Sequence, residues 1–163
     1  MRVFAIDPGN NLSAYCVVDV ETLSPLDFGK IPNEQLREYI REFNFKEDDR
    51  AVVEMIQSFG MGVGAEVFET AVWIGRFCER LDRKMVHPVA RVYRMEEKMH
   101  ICHDSKAKDS NIRIALIDRF ARHDFKFGRG TKKNPDFFYG FAADIWSAYA
   151  VALTFIETKM EVN

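Results

Sequence analysis

The chain opens with RVFAID (2–7), a run of apolar and small residues that climbs into an acid and passes at once into Pro8, Gly9, Asn10 and Asn11. The apolar run predicts a buried strand, and Pro-Gly-Asn-Asn predicts a turn directly after it. A turn alone does not need Asp7 as the last strand residue. A carboxylate at the end of a buried strand is costly unless something cationic meets it. RAVVEM (50–55) repeats the arrangement, with Glu54 near its end. Two interior strands that each finish beside an acid are the sharpest local signal in the chain.

The remaining segments alternate between strands and helices. NLSAYCVVDV (11–20) alternates like a hairpin partner of the first strand, PLDFGK (25–30) reads as a short strand, and HPVARVYRM (87–95) as another. Leu36, Ile40 and Phe43 at helical spacing predict a helix over 33–43 with Asn33 as its cap. Val67, Ala71, Ile74, Cys78 and Leu81 form one stripe of a long helix near 64–84. Ile112, Leu116 and Phe120 face inward from a helix over 109–122 capped by Asp109, and 136–160 contains a closing helix. The pattern predicts an α/β fold, a mixed sheet flanked by helices. No repeat, linker or low-complexity tract interrupts the 163 residues, which fit one domain spanning 1–163.

A third acid, Asp144, falls near the start of the closing helix, on a face with Ala148, Val151 and Phe155. A charge on a packed apolar face is expected to be paired, capped or bound to metal. Asp7, Glu54 and Asp144 lie far apart in sequence and meet only by folding. Carboxylate oxygens are the ligands that hard divalent cations take. Two such ions roughly 4 Å apart clamp the attacking and leaving oxygens of a phosphodiester. The plain alternative for Asp144 is a helix-start acid favoured by the macrodipole. Asp19, Asp27, Asp82 and Asp118 lack a buried context and read as solvated surface acids.

Net charge is −2, yet residues 91–133 carry 12 Lys and Arg against 6 Asp and Glu. One basic segment inside an acidic protein suits local contact with a polyanion. Arg129, Lys132 and Lys133, with Phe125 and Phe127 interleaved, match phosphate tracking and stacking on exposed bases, although the phenylalanines also fit as loop anchors.

The segments AIDPGNNLSAYCVVD, VVEMIQSFGMG, ETAVWIGRF, KAKDSNIRIALIDRF and YGFAADIWSAYAVAL, in that order, resemble the RuvC-type Holliday junction resolvases, particularly the phage-encoded branch, over nearly the whole chain. The resemblance implies an RNase H-like mixed five-stranded sheet flanked by helices. It also implies a crossover junction endodeoxyribonuclease, a homodimer that cuts four-way DNA junctions with two magnesium or manganese ions per site and leaves 5′-phosphate ends. Asp7 matches the family's first-strand aspartate, Glu54 its central glutamate and Asp144 its last metal-binding aspartate. The family has a further acid or histidine three residues before that aspartate; here the position is Phe141. Asp136 is the nearest upstream acid and the candidate substitute, with Glu66 and Glu69 further afield. Lys98 and Lys108 lie where the family carries basic residues near the scissile phosphate, and Lys106 beside them is a candidate DNA contact. Phe59 and Met61, in the glycine-studded SFGMGVG loop, match the segment that approaches the junction centre and inserts between unpaired bases.

Other readings are set aside or kept as rivals. No apolar run approaches the roughly 20 residues of a membrane span, and Asp7 arrives too early for a signal peptide, so a cytoplasmic protein of a bacterium or a phage-infected host is expected. Cys16, Cys78 and Cys102 are odd in number and sit among apolar residues, as reduced thiols do. SFGMGVG lacks the Gly-Lys-Ser/Thr ending of a P-loop, and no small-molecule cofactor is expected. His100, Cys102 and His103 lack the second ligand pair of a zinc finger. His87 reads as structural at a strand start, and Trp73 and Trp146 as packing residues. The rival functions are a catalytically silent branched-DNA-binding protein and a nucleotide-binding module of actin-like fold. The latter needs a second related half for which the chain has no room.

Overall fold

The computed structural model describes residues 1–57, 60 and 62–160. Its single sheet is built from β1 (Arg2–Asp7), β2 (Leu12–Asp19), β3 (Pro25–Pro32), β4 (Arg50–Met55) and β5 (Ala90–Tyr93), in the order β3-β2-β1-β4-β5. β1 runs antiparallel to β2 and β2 to β3, whereas β1, β4 and β5 run parallel. Helices α1 (Asn33–Glu42) and α2 (Ala65–Asp82) cover one face; α4 (Asp109–Phe120) and α5 (Ile145–Thr158) cover the other. Between β5 and α4 the chain makes one short helix, α3 (Arg94–Glu97), and a π-helical turn (Lys98–Cys102). This is the expected mixed five-stranded α/β architecture.

Side chains alternate across a strand, so the sheet divides its residues between two cores. Phe4 and Ile6 of β1 and Ala51 and Val53 of β4 face α1 and α2. Val3, Ala5 and Val52 face α4 and α5. α5 is apolar nearly all round, and Ala148 to Phe155 are all buried. Such a helix is stable only when covered on most sides. The sheet lies beneath it, Leu116 and Ile117 of α4 flank it, and Tyr149 Oη donates to the Leu23 carbonyl at 2.9 Å.

Several local expectations are corrected. Pro32, not Asn33, occupies the N-cap of α1. Asn33 is buried and ties the helix to the turn after β1: its Nδ2 donates to the Gly9 carbonyl at 2.8 Å, and its Oδ1 accepts from Ser13 Oγ at 2.6 Å. Ser13 Oγ in turn accepts from Gly9 N at 3.0 Å. Gly9 is required there, because a β-carbon would stand 2.3 Å from the Leu12 carbonyl oxygen. The expected strand over 87–95 is confined to 90–93, and the cap of α4 is Lys108 rather than Asp109. Only the C-terminal half of the α2 stripe, Ile74, Cys78 and Leu81 joined by Phe77, is fully buried. All three cysteines are free thiols. Among the described residues no helix is long and apolar enough to cross a membrane.

Candidate active site

Three parallel strands end at the same edge of the sheet, and ligand sites of open α/β sheets lie outside such carboxyl ends. Ile6 of β1 pairs with Val53 of β4, so the next residues, Asp7 and Glu54, emerge side by side. Their parity places both on the α5-facing side with Val3, Ala5 and Val52. Glu54 pairs in turn with Val92 of β5, whose end runs directly into Arg94–Glu97. Thus Asp7, Glu54 and Glu97 come from three adjacent parallel strands or their continuations.

The electrostatics follow from that crowding. The Asp7 carboxyl is held well above the usual aspartate range, first by burial and then by the neighbouring Glu54 carboxyl, and more weakly by Asp144 and Glu97. Glu97 is 0 % exposed, and its carboxyl is likewise raised, by burial and by Glu54, against the opposing pull of Arg94. Arg94 donates to Glu97 Oε2 at 2.5 Å and also engages Asp109. Burial works against the Arg94 charge, but Glu97 and Glu54 outweigh it and hold the guanidinium firmly protonated. Glu97 Oε1 is buried with no hydrogen-bond partner.

Asp144 stands at the N-cap of α5, one residue before the helix, and its carbonyl accepts from Ala148 N at 3.0 Å. Ala143 before it has φ 44°, the left-handed region that residues with a β-carbon rarely adopt. The side chain is therefore not embedded with Ala148, Val151 and Phe155. It is 51 % exposed and pairs with Lys30 of β3 at 2.5 Å. It nevertheless lies close enough to Asp7 to raise that carboxyl. Beside it opens a cleft of about 540 Å³ lined by Arg94, Arg113, Lys126, Phe127 and Trp146.

Among the described residues, no three acid, histidine or cysteine side chains converge tightly enough to share one ion in this arrangement, with Asp144 turned onto Lys30 and Glu97 onto Arg94. The donor set nonetheless fits a hard divalent cation. It is all oxygen, it is partly buried, it includes a bare buried oxygen, and its mutual repulsion is what a cation relieves.

The other expected residues fall elsewhere. Asp136 is buried, but its carboxylate accepts from the backbone amides of Arg122 at 2.9 Å, His123 at 3.0 Å, Asp124 at 2.6 Å and Phe137 at 2.7 Å. Burial would raise this carboxyl, yet the four donors hold it far below the usual range. Asp136 shapes the basic loop, and both of its oxygens are engaged by these amides. Phe141 is fully buried among Phe28, Phe138, Trp146 and Tyr149. Lys98 lies in the π-helical turn directly after Glu97, and Lys106 and Lys108 are exposed on the approach to α4.

Lys132 and Lys133 are exposed on the 122–135 loop, which Asp124 staples from within by accepting from Phe127 N, Arg129 N and Gly130 N at 3.0, 3.2 and 2.9 Å. Phe125 and Phe127 are 66 % and 44 % exposed and so are not core anchors; the Arg129 guanidinium sits 5.9 Å from the Phe127 ring. Phe59 and Met61 lie outside the described residues. His100 bonds Glu157 at 2.6 Å, which gives that histidine a structural partner.

Sequence reasoning missed Glu97, Arg94 and Lys30. The one available signal for the first two was their i,i+3 spacing, which pairs opposite charges only on a helix.

No family model matches the chain, and no curated protein does. Among solved structures the chain resembles the RuvC of Thermus thermophilus, with a TM-score of 0.64 and 17% identity over 94% of this chain and 92% of that one. It also resembles T. thermophilus RuvC in complex with Holliday junction substrate, with a TM-score of 0.66 and 16% identity over the same shares. The chain therefore has a RuvC-like fold.

Proposed function

We propose that this chain is a metal-dependent, structure-selective endonuclease that cleaves Holliday junctions and other branched DNA by hydrolysing phosphodiester bonds. The observation that carries the reading is the placement of Asp7 beside Glu54 at the carboxyl ends of paired parallel strands, with Asp144 close enough to act on Asp7. The RuvC-like fold supports the choice of substrate, and the ordered set of five sequence segments is the basis for placing the chain with the phage-encoded branch of that family.

Asp7, Glu54 and Asp144 would hold Mg²⁺ or Mn²⁺. When bound, such ions make a water acidic enough to attack at neutral pH and neutralise charge on the leaving 3′ oxygen. The protein's own part is positional. The turn fixed by Gly9, Ser13 and Asn33 holds the end of β1, so Asp7 has little freedom to swing away from Glu54. Lys98 and Lys108 stabilise negative charge developing on the scissile phosphate. Lys106, Arg129, Lys132 and Lys133 neutralise backbone phosphates on either side, while Phe125 and Phe127 offer ring faces to unpaired bases. Phe59 and Met61 enter the junction centre. The protein works as a single nuclease domain in a cytoplasmic homodimer whose two-fold symmetry matches that of the junction.

The rival reading, a silent junction-binding protein, is favoured by Phe141 at the position of a family acid, and turnover separates the two. Purified protein is incubated with a four-way junction, a fork and a linear duplex, with Mg²⁺ or with chelator. Cleavage of the branched substrates alone, dependent on metal and lost in Asp7→Asn, is expected. Cutting by Asp7→Asn overturns the metal assignment. Junction binding without turnover establishes the silent binder.

A further inference from the structure

We infer that Glu97, arriving from the helix after β5, supplies the fourth carboxylate of the metal site, and that Arg94 is a stand-in counter-ion that metal displaces from it. The inference rests on the metal-dependent reading above and adds a ligand from an element that reading does not use.

Glu97 is among the largest fully buried side chains of the molecule and the only acid in that group, among the described residues. Its Oε2 is bound by Arg94 at 2.5 Å, but Oε1 is buried with no partner. Leaving a buried carboxylate oxygen unsatisfied is among the costlier things a fold can do, and such groups are rare unless they have a use. The pairing of β4 with β5 sets where α3 begins, directly beyond the Glu54–Val92 pair. Met55 is opposite Tyr93, so the chain leaves the sheet one residue beyond Glu54 and enters α3, and the buried Glu97 carboxyl is close enough to Glu54 to be raised by it.

Phe141, at the position where the resembled family carries an acid, is locked in an aromatic cluster with Phe28, Phe138 and Trp146. Asp136 is saturated by amides. Glu97 therefore has the burial, the free oxygen and the neighbours that a ligand needs. Arg94 is built to let go: it also holds Asp109 and lines the 540 Å³ cleft beside Asp144, so on release it remains paired and faces the cleft.

Mn²⁺ binding to the full chain, measured by calorimetry and by the metal-induced rise in melting temperature, tests the inference without reference to cleavage. Glu97→Gln keeps the shape and is expected to weaken Mn²⁺ binding by about 10- to 100-fold. Arg94→Gln is expected to melt lower without metal and to gain more from Mn²⁺ than the parent chain does, because the competitor is gone. Wild-type affinity in Glu97→Gln overturns the inference while leaving the three-carboxylate site intact. Absence of Mn²⁺ binding to the unmutated chain overturns both. If Glu97→Gln fails to fold, Arg94→Gln decides alone: an Mn²⁺ gain no larger than the parent's shows that the pair is structural.

Discussion

Asp136 accepts four backbone amides, whereas Glu97 has Arg94 on one oxygen and nothing on the other. Both are buried. The first carboxyl is held far below its ordinary range and the second well above it, although burial pushes both upward. The difference lies in what surrounds them. Asp136 sits in a loop that folds its amides inward around a fixed charge, so the charge serves the structure. Glu97, with Asp7 and Glu54, sits where three parallel strands bring acids to one edge of the sheet, so the structure tolerates the charges. A satisfied buried acid organises its surroundings, and an unsatisfied cluster is poised for a ligand.

The largest test of that contrast is Asp7→Asn. Junction cleavage is expected to fall on the order of 10³-fold, the scale of losing a group that stabilises transition-state charge. The metal-free protein should meanwhile melt no lower than wild type, because a repulsive charge has been removed. A large drop in melting temperature would place Asp7 with Asp136 instead. Asp136→Ala should do the reverse: it strips four amides of their acceptor and destabilises the fold by about 3 kcal/mol. For a chain of this size that is a melting temperature roughly 6–12 °C lower, with Mn²⁺ affinity at low temperature unchanged.

Acid titration sharpens the same comparison. The raised carboxyls, Asp7 and Glu97, bind protons more tightly folded than unfolded, so they penalise the fold at neutral pH and the penalty fades as pH falls toward the unfolded value of about 4. The lowered carboxyl, Asp136, stabilises above about 4 and loses that contribution as pH falls further. Chemical denaturation of the metal-free protein should thus show greatest stability on the acid side of neutrality. Asp7→Asn should flatten the rise between pH 7 and pH 4 and spare the fall below it.

Smaller effects follow at the periphery. Lys30→Met releases Asp144 from a half-exposed ion pair, a change in stability below about 1 kcal/mol, and should tighten Mn²⁺ binding a few-fold. Lys132→Ala and Lys133→Ala should each lower the dependence of log junction affinity on log salt by about 1 while sparing preference for branched DNA.

The central pair was legible because strand alternation and strand ends are written in residue type. Val3 and Ala5 share a face with Asp7, and Val52 shares one with Glu54, as the apolar pattern requires. That β1 and β4 are neighbours was not legible, since pattern does not state order. Glu97 was hidden because HPVARVYRM reads as strand to residue 95, whereas the chain leaves the sheet after Tyr93 and an i,i+3 pair with Arg94 becomes possible. Asp144 looked embedded because nothing in Ala142-Ala143 announces a left-handed residue; a glycine would have. Asp136 misled for a related reason: its partners are backbone amides, which every residue but proline carries and no residue name reveals.

Every strand of the sheet is made before α5, yet α5 is the main cover for one whole face of it. A chain still emerging from the ribosome, with residues past 144 inside the exit tunnel, therefore carries a sheet whose second side is bare, and chaperones have an apolar surface to hold. Trp146 and Ser147 of that helix form part of the wall of the cleft beside Asp144, so the cleft is complete only with α5 in place. A chain built this way completes its candidate site only at the end of synthesis, and premature termination before Ile145 yields an aggregation-prone fragment.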